Sequence, residues 1–126
     1  MSARLLFVDD DAATLEALTG YFRLCGYEVA TAADQAAAER LLDAGGFECV
    51  VADLSLAARD PRGLELLRRA RLGRRRTPFI VLSGHAAGEA EESALRDGAS
   101  AYVEKPVGLA RLEALVQRLV AEPSRR

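Results

Sequence analysis

A chain of 126 residues is long enough for one ordinary domain with a single core and too short for two. Half of its residues are hydrophobic and 29% are charged, a globular balance that argues against a disordered chain or a membrane span. With a formal net charge of −2 and a pI near 5.5, it has no global attraction for nucleic acid or anionic lipid, so function is expected in local sites.

In chain order, Leu5 to Val8 is the first apolar run, and Asp9-Asp10-Asp11 ends it at once. A run this short is neither a signal-peptide core nor a spanning segment, and a cytoplasmic protein with no membrane partner is expected. Leu15, Leu18, Phe22 and Cys25 then recur at three- and four-residue steps and predict one buried helical stripe, with Gly26 as its stop. Glu28 to Thr31 is the second strand candidate. Ala38, Leu41 and Leu42 mark the second helix, stopped by Gly45-Gly46. Cys49 to Asp53 is the third strand, and Leu64, Leu67 and Ala70 mark the third helix. Phe79 to Ser83 is the fourth strand. The fourth helix, Glu89 to Asp97, offers only Ala90, Ala94 and Leu95 as apolar anchors, and it is expected to be the most weakly held. Ala101 to Glu104 closes the strand series, and Leu109, Leu112, Val116 and Leu119 predict a fifth helix.

Short, nearly continuous apolar strands alternating with helices predict an α/β fold, a single doubly wound five-stranded parallel sheet with five helices. The domain is expected over 1–122, with 123–126 a polar tail or the start of a linker. The two cysteines form no C-x-x-C pair and each falls in an apolar pattern, so buried free thiols are expected.

Ligands of such sheets sit beyond the carboxyl ends of the strands. Four strands stop there on reactive groups: Asp9-Asp10-Asp11, Asp53, Ser83 and Lys105-Pro106. In the strand order 2-1-3-4-5 the first and third strands are neighbours, and Asp9, Asp10 and Asp53 converge. Clustered carboxylates repel unless a cation offsets them, and an oxygen-only donor set without histidine or cysteine calls for Mg²⁺, with Mn²⁺ as a substitute. Taken alone, an aspartate pair after a strand reads equally well as a helix cap or turn. A carboxylate facing such a centre can act as a nucleophile toward phosphorus, forming an acyl phosphate. The transferred group has three equatorial oxygens; one metal leaves two, for which Ser83 supplies a hydroxyl and Lys105 a cation. Of the seventeen basic residues Lys105 is the sole lysine, although composition alone would have placed arginine there. Pro106 makes the Lys105–Pro106 bond a candidate for the cis form.

These residues resemble the receiver domains of bacterial two-component response regulators, over about Arg4 to Val120. The likeness rests on Leu5-Leu6-Phe7-Val8-Asp9-Asp10-Asp11, Val50-Val51-Ala52-Asp53-Leu54, Val81-Leu82-Ser83-Gly84 and Gly98-Ala99-Ser100-Ala101-Tyr102-Val103-Glu104-Lys105-Pro106, in this order. The resemblance implies a flavodoxin-like receiver fold with strand order 2-1-3-4-5. It implies phosphorylation of Asp53, direct coordination of Mg²⁺ by Asp10 and Asp53, Asp9 acting through water, and the Ser55 backbone carbonyl completing the ligands. Ser83 takes the switch-hydroxyl position and Tyr102 that of the aromatic that answers it.

The donor implied is a phosphohistidine on a sensor histidine kinase or histidine phosphotransfer protein, and the output an effector domain or protein. The family is a signalling phospho-acceptor with self-catalysed transfer and dephosphorylation rather than an enzyme, it uses no organic cofactor, and homodimers through helix 4, strand 5 and helix 5 are open to it. The alternative is a receiver-like interaction module that works unphosphorylated. The chain departs from the family pattern after Asp53, where Ala57 replaces a proline and the matching glycine is Gly63, two residues late. A haloacid-dehalogenase-type phosphatase wants a second acid two residues after its nucleophile, where Ser55 stands. Three aspartates after the first strand would repel the phosphate of a flavin.

Two further features invite functional readings. Six arginines between Arg68 and Arg76 read as a solvated face rather than a nucleic-acid site, since no aromatic residue interleaves them. His85, the sole histidine, stands two residues past Ser83 as an ordinary loop residue that could modulate hydrolysis.

Overall fold

The computed structural model describes residues 3–53, 65–72, 77–84 and 89–121. The elements run β1 Arg4–Val8, α1 Ala12–Leu24, β2 Glu28–Ala32, α2 Gln35–Ala44, β3 Cys49–Asp53, α3 Glu65–Leu72, β4 Phe79–Ser83, α4 Glu89–Arg96, β5 Ala101–Glu104 and α5 Leu109–Ala121. All five strands are parallel, in the order β2-β1-β3-β4-β5.

Strand alternation sorts the apolar runs into two cores. Leu5, Phe7, Cys49, Val51, Ile80 and Leu82 point to one face and pack under α1 and α5, through Leu15, Leu18, Phe22, Leu112 and Val116. Leu6, Val8, Val50, Phe79 and Val81 point to the other, against Ala38 of α2, Leu66, Leu67 and Ala70 of α3, and Ala94 of α4. Both faces of the central strands are therefore covered, which is why β1, β3 and β4 read as continuous apolar runs while the edge strands do not. Phe22 is fully buried with its ring 5.0 Å from Phe7 and 5.6 Å from Tyr27; burying such a side chain contributes about 1.5–3 kcal/mol.

The helix ends follow local chemistry. Asp11 caps α1, its carboxylate accepting from the Ala13 amide at 3.2 Å and the Thr14 hydroxyl at 2.7 Å, and Asp34 caps α2 by accepting from the Ala37 amide at 2.8 Å. Gly26 and Gly45 follow α1 and α2 with φ of 98° and 80°, the left-handed region that lets a chain leave a helix. Two sequence expectations are corrected. Cys25 is exposed, because α1 ends at Leu24 and the Cys25 amide turns back to the Tyr21 and Phe22 carbonyls; only Cys49 is a buried thiol. Leu95 of α4 is 45% exposed, so Ala94 alone among the described side chains of that helix is buried.

Burial also fixes how stability depends on alkali. It pushes the Cys49 thiol up to about 12, and burial with the hydrogen bond to Glu113, 3.0 Å away on α5, pushes the Tyr27 phenol up to about 12. Both are neutral acids held above their unfolded values of 9.0 and 10.0, so their contribution is complete below pH 9 and is lost as pH rises toward 12. Chemical unfolding across pH 8–12 is expected to show a falling midpoint above pH 9, and Tyr27→Phe to flatten the part above pH 10.

Candidate functional site

The register aligns the strand ends that carry the polar residues. Val8 pairs with Ala52, Asp53 with Leu82, and Ser83 with Glu104, so β1, β3, β4 and β5 all stop at one edge of the sheet. Asp9 and Asp10 follow β1, Asp53 ends β3, Ser83 ends β4, and Lys105 follows β5.

One carboxylate oxygen from each of Asp9, Asp10 and Asp53 lies within 4.8 Å of the others. Asp9 and Asp53 are buried, 3% and 4% exposed, whereas Asp10 opens to solvent. The Asp11 amide donates to Asp9 Oδ1 at 2.9 Å and orients that carboxylate. Asp11 itself stays out of the cluster because both of its oxygens serve the first turn of α1. The run of three aspartates thus divides, the first two facing the cluster and the third capping the helix.

Lys105 is the cation of this site. Its Nζ lies 2.8 Å from Asp53 Oδ2, donating a charge-assisted hydrogen bond to a buried carboxylate. The loop that presents it is held by the Lys105 amide, which donates to the Ser83 carbonyl at 2.6 Å, and the Lys105–Pro106 peptide bond is cis. Burial pulls the ammonium pKa down, but the bond to Asp53 and the charges of Asp53, Asp9 and Asp10 outweigh it and leave the pKa raised. The Asp9 carboxyl is raised, first by burial and then by the neighbouring Asp53 charge.

Among the described residues three carboxylates face one ammonium, and two unit charges 4.8 Å apart repel by about 3–4 kcal/mol at an effective dielectric constant near 20. A hard divalent cation relieves that repulsion, and the all-oxygen donor set, partly buried and open on the Asp10 side, fits Mg²⁺.

Ser83 is fully buried at the end of β4. Tyr102, on β5, is half-buried and packs against the α2–α4 side of the core. Ser55, the loop from Ala57 to Gly63, His85, Leu64, Arg74 to Arg76 and the tail 123–126 lie outside the described residues. Of the remaining arginines, Arg68 and Arg69 are exposed, as a solvated face requires, and each also has a partner. Arg69 makes a two-pronged ion pair with Asp43 of α2, at 3.0 and 2.7 Å, Arg68 pairs with Asp97 at 3.1 Å, and Arg71 donates twice to the Gly98 carbonyl. The sequence pattern did not show these partners because each lies 26 to 29 residues away in the chain.

A 2-1-3-4-5 parallel sheet with an acidic triad and a lysine at the carboxyl ends of its strands defines a receiver-type domain. The chain belongs to the response regulator receiver domain family, whose model matches residues 5–117. The transcriptional regulatory protein PrrA of Mycobacterium tuberculosis is 35% identical over 119 residues, covering 94% of this chain and 50% of PrrA. The chain thus spans about half the length of that relative. A CheY-like receiver domain protein from Methanospirillum hungatei is 31% identical, with a TM-score of 0.87 over 95% of this chain and 94% of that one. A response regulator from Burkholderia pseudomallei, solved with a phosphorylated aspartic acid, calcium ion and citrate, is 27% identical, with a TM-score of 0.81 over 95% of this chain and 69% of its own. Among the described residues no helix is long and apolar enough to cross a membrane.

Proposed function

We propose that this receiver domain accepts a phosphoryl group on Asp53 in a Mg²⁺-dependent reaction, with a phosphohistidine of a sensor histidine kinase or histidine phosphotransfer protein as donor. The observation that carries the reading is the pairing of Asp53 with Lys105 at 2.8 Å inside the carboxylate cluster of Asp9, Asp10 and Asp53. The phosphorylated aspartic acid and calcium ion of the Burkholderia pseudomallei relative support it.

In this mechanism an Asp53 carboxylate oxygen attacks phosphorus, the phosphorus–nitrogen bond breaks, and its electron pair returns to the imidazole, leaving an acyl phosphate. Lys105 moves its ammonium from the Asp53 carboxylate toward a phosphoryl oxygen, and the buried Ser83 hydroxyl donates to another. Asp10 and Asp53 would hold the metal directly and Asp9 through water, and the Ser55 carbonyl would complete the set; when bound, the metal would neutralise charge on the transferred group. Water later attacks the acyl phosphate and regenerates Asp53. The Ser83–Tyr102 pair carries the change to the face of α4, β5 and α5, where an effector domain or protein, or a second copy, docks. The receiver unit is assigned to 1–122, with 123–126 a polar tail or the start of a linker, in a cytoplasmic setting.

Incubation with acetyl phosphate, followed by intact mass, tests this reading. Uptake of one phosphoryl group is expected with Mg²⁺. Chelation of divalent ions is expected to slow it by about 10²-fold or more, the equivalent of several kcal/mol of barrier. Uptake at the same rate in chelator, or no uptake even from a cognate kinase, would favour an interaction module that works unphosphorylated.

A further inference from the structure

We infer that Arg71, assisted by Arg68, is a latch through which α3 holds the C-terminal end of α4, and that α3 thereby sets the position of α4. The helix has little apolar hold of its own. Ala94 is its one buried side chain among those described, whereas α1 buries Leu15, Leu18 and Phe22 and α5 buries Leu112 and Val116.

Its C-terminal end is gripped instead by polar groups. Arg71 Nε and Nη2 donate to the Gly98 carbonyl at 3.0 and 2.9 Å, and Arg68 Nε donates to Asp97 Oδ2 at 3.1 Å. A cation at a helix C-terminus opposes the partial negative charge of the unpaired carbonyls, and a guanidinium fork fixes direction as well as charge. Gly98 is fitted to this contact. Its φ is +109°, and a Cβ there would lie 2.8 Å from Arg71 Nε and 3.0 Å from the arginine stem, so a side chain would evict the latch.

At its other side α3 is tied to α2 by the Arg69 fork on Asp43. Its buried Leu66, Leu67 and Ala70 belong to the core cluster against which Ala52, the residue before Asp53, packs. The latch therefore joins a helix packed beside the acceptor strand to α4. This coupling rests on the phospho-acceptor reading of Asp53; the latch does not.

Hydrogen exchange of the full chain, read by mass spectrometry or NMR, separates the two. The reporters are the amides of Asp97, Gly98 and Ala99, which bond to the Ser93, Leu95 and Ala94 carbonyls. In unmodified protein, Arg71→Met is expected to speed their exchange about tenfold or more, as loss of hydrogen bonds to a charged group implies, with β1, β3 and β4 unchanged. Arg68→Gln, which removes an exposed pair, is expected to speed it by about threefold or less. Arg71→Lys keeps the charge without the fork and is expected to fall between native and Arg71→Met. Native exchange at 97–99 in Arg71→Met, or equal acceleration throughout the sheet, would overturn the latch.

After acetyl phosphate and Mg²⁺, the change in exchange at 97–99 is expected to be at least halved in Arg71→Met relative to the native chain. An equal change in both would overturn the coupling. Absence of phosphoryl uptake by the native chain, even from a cognate kinase, would instead overturn the Asp53 reading and the coupling with it, leaving the latch to be decided by the unmodified proteins.

Discussion

Asp53→Asn is expected to gain no phosphoryl group from acetyl phosphate under conditions in which the native chain gains one. The carboxamide is isosteric, so the fold and the end of β3 should survive, but its oxygen lacks the anionic electron pair needed to attack phosphorus. The substitution also removes one of the three repelling charges, at a residue that is 4% exposed. Asp53→Asn should therefore fold at least as stably as the native chain, and intact mass together with a denaturant midpoint checks both halves. Loss of uptake with intact stability separates a missing nucleophile from a damaged fold.

Lys105→Ala is expected to slow uptake by about 10²–10³-fold, the usual effect of removing one preorganised donor from developing charge. The same substitution should tighten Mg²⁺ binding, because the ammonium 2.8 Å from Asp53 is the cation that opposes entry of a second one. Those opposite signs distinguish a specific charge partner from a structural prop, which would weaken both. Lys105→Arg is expected to recover only part of the rate, since a planar guanidinium is broader than an ammonium. Stopped uptake measured at saturating Mg²⁺, with Mg²⁺ affinity measured by calorimetry, reads the two effects separately.

Much of the site was legible because strand ends in a parallel α/β fold coincide with the point where apolar runs stop. Val8 to Asp9, Ala52 to Asp53 and Leu82 to Ser83 are such stops, and register then aligns them at one edge. The bounds of β3, β4 and β5 follow from the same rule. On edge strand β2 the pattern weakened, and the strand runs one residue further, to Ala32.

What the pattern did not carry is orientation at helix ends and the pairing of long side chains. A stripe at three- and four-residue steps places Leu15, Leu18 and Phe22 on one face, but it does not say that the helix stops at Leu24 and turns Cys25 outward. Similarly, the arginines of α3 looked like a solvated run because nothing local marks Asp43, Asp97 or Gly98 as their partners. Their roles depend on helices brought together by the sheet, and charge counting along the chain is blind to that.

The division of labour among the aspartates is the central claim, and chemical location of the phosphoryl group tests it most directly. Borohydride reduces an acyl phosphate to the alcohol, so an aspartate that carried the group becomes homoserine and can be found by peptide mass spectrometry. After acetyl phosphate and Mg²⁺, conversion at Asp53 alone is expected. Conversion at Asp9 or Asp10, or none at any aspartate of a chain that has gained mass, would contradict the account.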